Sequence, residues 1–279
     1  MFTLNSKGTL FTIEKPVVMG IINATPDSFY GVSRAASTEA ALLKASTMIQ
    51  EGAFILDIGG QSTRPNSEIV GVEEEIRRVI PVIEAVKKTF PATLISVDTF
   101  YPEVAASAVA AGADMVNDIS GGRYFDEMLP TVAASKVPYI CMHSSGSLQD
   151  MHQKIPYADI TNTLLEYFIE RIEACKQAGI LDIIIDPGFG FGKLPKDNFT
   201  IIKNLSAFQI LQKPLLLGVS RKSTIYQTLG ITPEESLNGT TVLHTIGLMN
   251  KAHILRVHDV KEAMQAIQLY DQVYTTESN

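Results

Sequence analysis

The chain has 279 residues, of which 46% are hydrophobic, so it can bury a large core within one domain. Its formal net charge of −7, with no Lys/Arg cluster longer than the pairs at 77–78 and 87–88, argues against a nucleic-acid-binding surface. No apolar stretch approaches the roughly 20 residues of a membrane helix, and the first fifteen residues lack the apolar block of a signal peptide, so we expect a cytoplasmic protein.

Eight short runs of apolar and β-branched residues recur along the chain. They are almost continuously apolar, which is typical of parallel strands that are covered on both faces. The runs lie at 16–22, 53–58, 93–98, 113–118, 137–142, 182–186, 214–220 and 252–257.

Amphipathic stretches follow most of these runs, and the clearest lie at 39–51, 72–89, 158–178 and 260–274. Gly52, Gly112 and Gly179 stand just before the next strand begins, where helices are expected to end. Eight repeats of strand and helix predict a closed (β/α)8 barrel, a TIM barrel, as a single domain over 1–279 with its core at about 16–275. Six strands with two misread helices would instead give a doubly wound open sheet.

Polar or glycine-rich sequence follows almost every predicted strand on its C-terminal side, which is the face where barrel enzymes place their active sites. Each residue alone has a structural explanation, because Asp57, Asp98, Asp118 and Asp186 could simply cap the next helix. Capping does not require Arg, Lys and His, however, and these also occur at the strand ends, so the set indicates a functional site. The segments lie at 23–29, 57–65, 96–100, 116–122, 142–146, 186–193, 220–223 and 256–259.

Several common active-site patterns are absent. The segment DPGFGFGK at 186–193 matches neither the Walker A loop nor GxGxxG, because Pro187 and Leu194 occupy the first and last Walker positions. The five histidines lack HExxH spacing, and no GxSxG elbow is present. Cys141 and Cys175 are predicted to be buried thiols rather than a disulfide or a metal site.

Taken together, the strand-end motifs resemble those of the dihydropteroate synthase family. The family carries N-x-TPDSF, GG-x-STRP, SVDT, ND-x-SGG, DPG-x-GFGK, SRKS and RVHDV, and all seven occur here in this order between residues 23 and 260. The resemblance implies a (β/α)8 barrel and the condensation of 6-hydroxymethyl-7,8-dihydropterin diphosphate with p-aminobenzoate. The products would be 7,8-dihydropteroate and diphosphate, as a step of folate synthesis that sulfonamides block.

The resemblance also implies a role for each site residue. Asp98, Asp186 and Lys222 would be catalytic, and with Asn117 they would bind the pterin. The fixed negative charges of Asp98 and Asp186 are expected to favour a transition state in which positive charge grows on the pterin. The remaining assignments are Thr63, Arg64, Arg256, Val257 and His258 for diphosphate, Phe29, Pro65, Phe191 and Ser223 for p-aminobenzoate, and Asn23 for Mg2+.

The residues alone allow competing explanations for the diphosphate contacts and for a homodimer interface. Arg256 and His258 are two apart in a strand, which puts both on one side, but His258 could be an ordinary rim histidine and Arg256 could pair with Asp259 or another acid. The segment at 243–249 has an apolar face compatible with the homodimer that the family usually forms, and equally compatible with a helix that faces the core.

The sequence departs from the family pattern in three loops. Gln61 stands where many members have Glu, YGVSR occupies 30–34, and SSGSLQDMH occupies 144–152. Two other functions remain compatible. A methyltetrahydrofolate:corrinoid methyltransferase would share the Asp, Asn and Asp residues, but would not need TPDSF, STRP or SRKS. A non-catalytic pterin-binding paralogue is opposed by the retained Lys222, Arg64, Arg256 and His258.

Overall fold

The computed structural model describes residues 1–24, 34–61, 69–151 and 153–275. The chain begins with an antiparallel hairpin of β1 (Phe2–Ser6) and β2 (Thr9–Ile13), for which no strands were predicted. Lys7 and Gly8 join the two strands, and both have positive φ (52° and 90°), as a two-residue turn matched to the strand twist requires.

Eight further strands form one parallel sheet, and they correspond to the eight predicted runs. The sheet order is β8-β7-β6-β5-β4-β3-β10-β9. A parallel bridge between Ile185 and Leu215 joins its two ends, so the sheet closes into a (β/α)8 barrel and the doubly wound alternative is excluded. The strands are β3 (Val17–Asn23), β4 (Ile55–Gly59), β5 (Leu94–Asp98), β6 (Met115–Asp118), β7 (Tyr139–Met142), β8 (Ile183–Asp186), β9 (Leu216–Leu217) and β10 (Ile254–Val257).

Helices cover the outside of the barrel and bury their apolar sides against it. Gly112 and Gly179 end two of them in the left-handed conformation, with φ of 119° and 96°, as predicted. In the described residues the helices are α1 (Arg34–Gln50), α2 (Val72–Thr89), α3 (Pro102–Ala111), α4 (Met128–Ser135), α5 (Ile160–Ala178), α6 (Pro195–Lys203), α7 (Ser223–Leu229), α8 (Leu237–Met249) and α9 (Val260–Thr275).

The N-terminal end of the barrel is filled with apolar side chains. Each of the eight strands contributes one buried residue, and the hairpin adds Leu4 and Ile13 from below, so it forms the floor of the barrel. The strand residues are Met19, Ile55, Leu94, Met115, Ile140, Ile184, Leu216 and Ile254. The polar strand ends therefore collect at the opposite, C-terminal face.

Cys141 and Cys175 are both free and buried, as predicted. Within the described ranges, no helix is both long enough and apolar enough to cross a membrane.

Candidate active site

Four neighbouring strands bring their polar ends into one row across the barrel. Asn23 pairs in register with Gly59, Gly59 with Asp98, and Asp98 with Asn117. Residues paired in this way point to the same face of a sheet. Gly59 has no side chain in this row, and a Cβ there would lie only 3.3 Å from the Cβ of Asp98. Glycine therefore leaves space beside the Asp98 side chain.

Arg256, from β10, crosses the barrel and joins two of the carboxylates. Its Nε donates to Asp57 Oδ2 at 2.6 Å, and its Nη2 donates to Asp98 Oδ2 at 2.5 Å. Asn117 Nδ2 also donates to Asp57 Oδ2, at 3.0 Å, and this bond fixes the direction in which the amide is turned. Arg256 does form an ion pair, but with Asp57 and Asp98 rather than with Asp259.

Burial dominates the electrostatics of these acids. It raises the pKa of Asp98 to about 7, Arg256 opposes this shift, and the charges of Asp57, Asp118 and Asp186 add to it. The side chain of Asp57 is fully buried, and its Oδ1 has no hydrogen-bond partner among the described residues. The site therefore holds buried carboxyl groups whose ionised forms a cationic or hydrogen-donating ligand would stabilise.

Asp186 and Lys222 face each other on the other side of the barrel, around Gly218. A Cβ on Gly218 would lie 3.8 Å from both Asp186 Oδ2 and Lys222 Nζ, so the absence of a side chain keeps this space open. Gly188 N donates to Asp186 Oδ1 at 2.7 Å. Burial lowers the pKa of Lys222 to about 8, against the opposing charge of Asp186. Lys222 also donates to Phe189 O.

Lys193 holds the glycine-rich loop after β8. Its amine is buried and donates to three backbone carbonyls, those of His143 at 3.2 Å, Gly188 at 2.8 Å and Phe191 at 3.0 Å. The charged amine has three protons to donate and uses all of them, although burial lowers its pKa to about 7 against the opposing charge of Asp186. Lys193 thereby fixes the loop that carries Asp186, and it ties this loop to the one after β7.

His258 lies at the end of β10 beside Ser220. The Ser220 hydroxyl is 3.0 Å from His258 Nδ1 and accepts from His258 N at 3.1 Å. Burial, followed by the charge of Arg256, lowers the pKa of His258 to about 4, so the ring is neutral near pH 7. The neighbouring Val257 is fully buried in the core between barrel and helices, so its side chain does not line the site and the prediction for it is limited to its backbone.

The two described residues predicted for p-aminobenzoate lie near Lys222. Lys222 Nζ is 4.7 Å from the centre of the Phe191 ring, and Ser223 begins α7 directly after Lys222. The other predicted residues of the loops after β3 and β4 lie outside the described residues, as does most of the YGVSR segment. They are Phe29, Thr63, Arg64 and Pro65.

None of the four aspartates is the N-cap of the helix that follows it, and Asp118 instead holds a turn. It accepts from Ser120 N at 2.7 Å, Gly122 N at 2.8 Å and the Tyr139 hydroxyl at 2.6 Å, so it holds the turn after β6. Asp57, by contrast, was not assigned to the site from the sequence, and its pairing with Arg256 makes it the central acceptor of the cluster.

The described residues contain no group of three or more His, Cys, Asp or Glu side chains that could hold a metal ion. Asn23 offers one amide oxygen at the end of β3, in the row with Asp98. Mg2+ prefers oxygen ligands and commonly keeps waters and substrate phosphates as its remaining ligands. A single amide oxygen at the mouth of the barrel fits that mode of binding.

Comparison with known proteins identifies the family. The chain matches the pterin-binding enzyme family over residues 19–258. It is 41% identical to the dihydropteroate synthase of Escherichia coli (strain K12) over 280 residues, which cover 99% of this chain and 98% of that protein. It is 40% identical to the dihydropteroate synthase of Bacillus subtilis (strain 168) over 260 residues, covering 92% and 88%.

Solved structures agree with the sequence relatives. The chain superposes on Xanthomonas albilineans dihydropteroate synthase with 4-aminobenzoic acid with a TM-score of 0.90 at 40% identity, covering 99% of each chain. It superposes on the Yersinia pestis dihydropteroate synthase in a sulfonamide drug complex with a TM-score of 0.92 at 36% identity, covering 99% of this chain and 100% of that one.

Proposed function

Because this chain belongs to the dihydropteroate synthase family, we propose that it condenses 6-hydroxymethyl-7,8-dihydropterin diphosphate with p-aminobenzoate, giving 7,8-dihydropteroate and diphosphate. The observation that carries this proposal is the convergence of Asp98, Asn117, Asp186 and Lys222 at the C-terminal face of the barrel. The described part of the chain therefore presents acceptors, an amide and a cation at one end of the barrel.

The pterin ring has a guanidine-like edge with adjacent N–H donors. A buried carboxylate can accept two such hydrogen bonds, and charge-assisted pairs of this kind are stronger than neutral ones. Asp186 takes this role in the proposal, with Asn117 beside it and Lys222 on the ring carbonyl oxygen and N5. The bond from Asn117 to Asp57 supports this arrangement, because it holds the amide in one orientation before the ligand arrives.

The reaction needs charge stabilisation more than a nucleophilic side chain, since diphosphate is already a good leaving group. As it departs, positive charge grows on the pterin methylene and ring. Asp98 and Asp186 would stabilise that charge in a buried site, where electrostatic interactions are strong. Growing positive charge would also favour the ionised form of Asp98, whose pKa burial raises to about 7 in the free protein.

Arg256 and His258 would contact the diphosphate, together with Thr63 and Arg64. Arg256 uses Nε and Nη2 for Asp57 and Asp98, and no partner for its Nη1 is found within the described ranges. His258 is neutral in the free protein, so it would donate one N–H or take up a proton when the anion binds. Val257 would contribute only through its backbone.

Asn23 would hold a Mg2+ ion through its amide oxygen. When bound, the ion would neutralise charge on the leaving diphosphate. Asn23 itself lies beside Gly59 in the row that leads to Asp98, so a group bound there would be adjacent to the pterin site.

The second substrate requires an apolar slot for its ring and a donor for its carboxylate. Phe191 and Ser223 would supply these, together with Phe29 and Pro65. The position of Phe191 over the Lys222 amine supports a slot beside the pterin. Sulfonamides would compete there, in keeping with the drug complex of the Yersinia pestis relative.

The working form would be a cytoplasmic homodimer. A cleft of about 710 Å3 on the outer surface is lined by residues of α8 and α9, and Met249, Leu269 and Val273 are each more than half exposed along it. A second copy would cover these side chains. Light scattering should give the mass of a dimer, and a monomer for Leu269→Glu.

Release of diphosphate from the pterin diphosphate tests the proposed activity directly. Release that requires both p-aminobenzoate and Mg2+ is expected for the wild type, and it should fall at least a hundredfold in Lys222→Met. The matched control is Lys196→Met, because Lys196 is exposed on the neighbouring α6. Pterin binding without release would indicate the non-catalytic paralogue, and absence of pterin binding would refute the proposal.

A further inference from the structure

Glu75 is a carboxyl group on the core-facing side of α2. Its side chain is fully buried, as are those of Val79, Ile83 and Val86 on the same side of the helix. Neither of its carboxyl oxygens has a hydrogen-bond partner among the described residues. Burying a polar group in this way costs free energy, so its presence in a native structure requires an explanation.

The side chain lies directly behind the turn that follows β4. A Cβ on Gly60 would lie 3.0 Å from Glu75 Cγ and 2.9 Å from Val79 Cγ1, so α2 presses against the backbone of this turn. A Cβ on the adjacent Gly59 would lie 3.3 Å from the Cβ of Asp98. Two successive contacts thus connect Glu75 to Asp98.

Hydrogen bonds hold the same turn to the start of α2. Arg78 Nη1 donates to Gly60 O at 3.0 Å, and Val70 N donates to Gln61 Oε1 at 3.1 Å. The Tyr101 hydroxyl, which follows β5, donates to Val70 O at 3.2 Å. The ends of β4 and β5 are therefore one unit with the helix that carries Glu75.

The charged and titratable groups around Glu75 favour its uncharged form. Burial raises its pKa to about 8, the charge of Asp98 adds to this shift, and Arg78 and the Thr99 side chain, which approaches Glu75 without a well-formed hydrogen bond, oppose it. Arg78 is already bonded to Glu74 at 2.8 Å, and so it does not neutralise Glu75. Tyr101 adds no positive charge, and its own pKa is raised, first by burial and then by Glu75.

We propose that Glu75 is a positioning residue of the pterin site, whose buried carboxyl group supports the turn after β4 that lies behind Asp98. This inference rests on the proposed function, because the group that it positions is the carboxylate that stabilises the pterin. Ionised Glu75 would repel Asp98 from behind, so pterin affinity should fall once Glu75 loses its proton.

The test compares pterin binding by calorimetry between pH 6.5 and 9.5 in the wild type and in Glu75→Gln, which is uncharged at every pH. Lys222 also loses its proton in this range, since burial lowers its pKa to about 8. Between pH 8 and 9 the wild-type Kd should therefore rise about thirtyfold, roughly 5.5-fold for each group, if each proton is required for binding. Glu75→Gln should retain the single Lys222 factor, about fivefold over the same range.

Glu75→Met, also uncharged, covers the case in which Gln folds poorly, and Glu73→Gln is the matched control because the Glu73 side chain is 89% exposed. Glu73→Gln should keep the wild-type slope. Equal slopes in the wild type and both Glu75 variants would overturn this inference alone, as would a tenfold loss of affinity at pH 7 in both variants. Failure of the wild type to bind pterin at any pH would instead overturn the proposed function.

Discussion

Replacing Arg256 with methionine removes the positive charge between two buried carboxylates while keeping much of the side-chain volume. Arg256 bonds Asp57 at 2.6 Å and Asp98 at 2.5 Å, and the two acids are 0% and 16% exposed. Breaking a buried pair by deleting one partner typically costs about 3–5 kcal/mol, because the other charge stays buried. We expect a loss of this size in the free energy of unfolding at pH 8.

The loss should shrink at lower pH. Without Arg256 the pKa of Asp98 rises further, so the folded variant holds a proton that the unfolded chain releases, and its stability falls as pH rises. Urea unfolding followed by circular dichroism measures this, since the chain has no tryptophan. Arg77→Met is the control, because Arg77 is 52% exposed and its surface pairs contribute at most about 1 kcal/mol. A loss below about 1 kcal/mol for Arg256→Met that does not vary with pH would show that Arg256 does not stabilise the two buried carboxylates.

Three further predictions follow from the site geometry. Binding of the pterin diphosphate should raise the pKa of His258 from about 4, so calorimetry at pH 6 in buffers of different ionisation enthalpy should detect proton uptake that is absent with the pterin alone and in His258→Gln. Uptake that persists in His258→Gln would assign the proton elsewhere. Lys193→Met should weaken pterin binding at least tenfold, because three backbone carbonyls lose their donor. An unchanged Kd would show that the loop keeps its conformation without Lys193. Tyr139→Phe should cost roughly 1.5–3 kcal/mol of unfolding free energy through its bond to Asp118 while leaving kcat nearly unchanged, and a cost below about 0.5 kcal/mol would contradict this.

The barrel could be predicted because each of its strands has a recognisable local sequence pattern. Parallel strands covered on both faces are apolar throughout, and glycines such as Gly112 and Gly179 mark the helix ends before them. The strand lengths were less predictable, since the run at 214–220 contains only the two-residue strand Leu216–Leu217. The remaining residues of that run lie outside the strand, and those after it lead directly to Lys222 at the site.

The hairpin at the N-terminus was missed although its sequence carries a signal. Leu4 and Ser6 face the core while their neighbours are more exposed, which is the alternation of a half-buried strand, and a glycine at position 8 suits a tight turn.

The side chains that organise the site could not be predicted from the local sequence pattern. Asp57 and Arg256 are 199 positions apart, and only barrel closure brings β4 and β10 to opposite sides of β3. Lys193 stands within a motif, but nothing in the sequence says that its amine binds backbone carbonyls rather than a ligand. Glu75 occupies a core-facing position of an otherwise regular amphipathic helix. Because Glu73 and Glu74 precede it, the sequence does not show that Glu75 alone is buried.

Because apolar side chains fill its N-terminal end, the barrel is open to ligands only at its C-terminal face. Because Leu4, Ile13 and the lowest strand residues seal the far end, whatever enters at the C-terminal face must leave by the same opening. A ligand that reaches Asp186 and Asn117 blocks nothing behind it, whereas one bound nearer the rim, beside Phe191, would stand in the way of a ligand arriving later. From this geometry we expect the pterin to bind first and the condensed product to leave last.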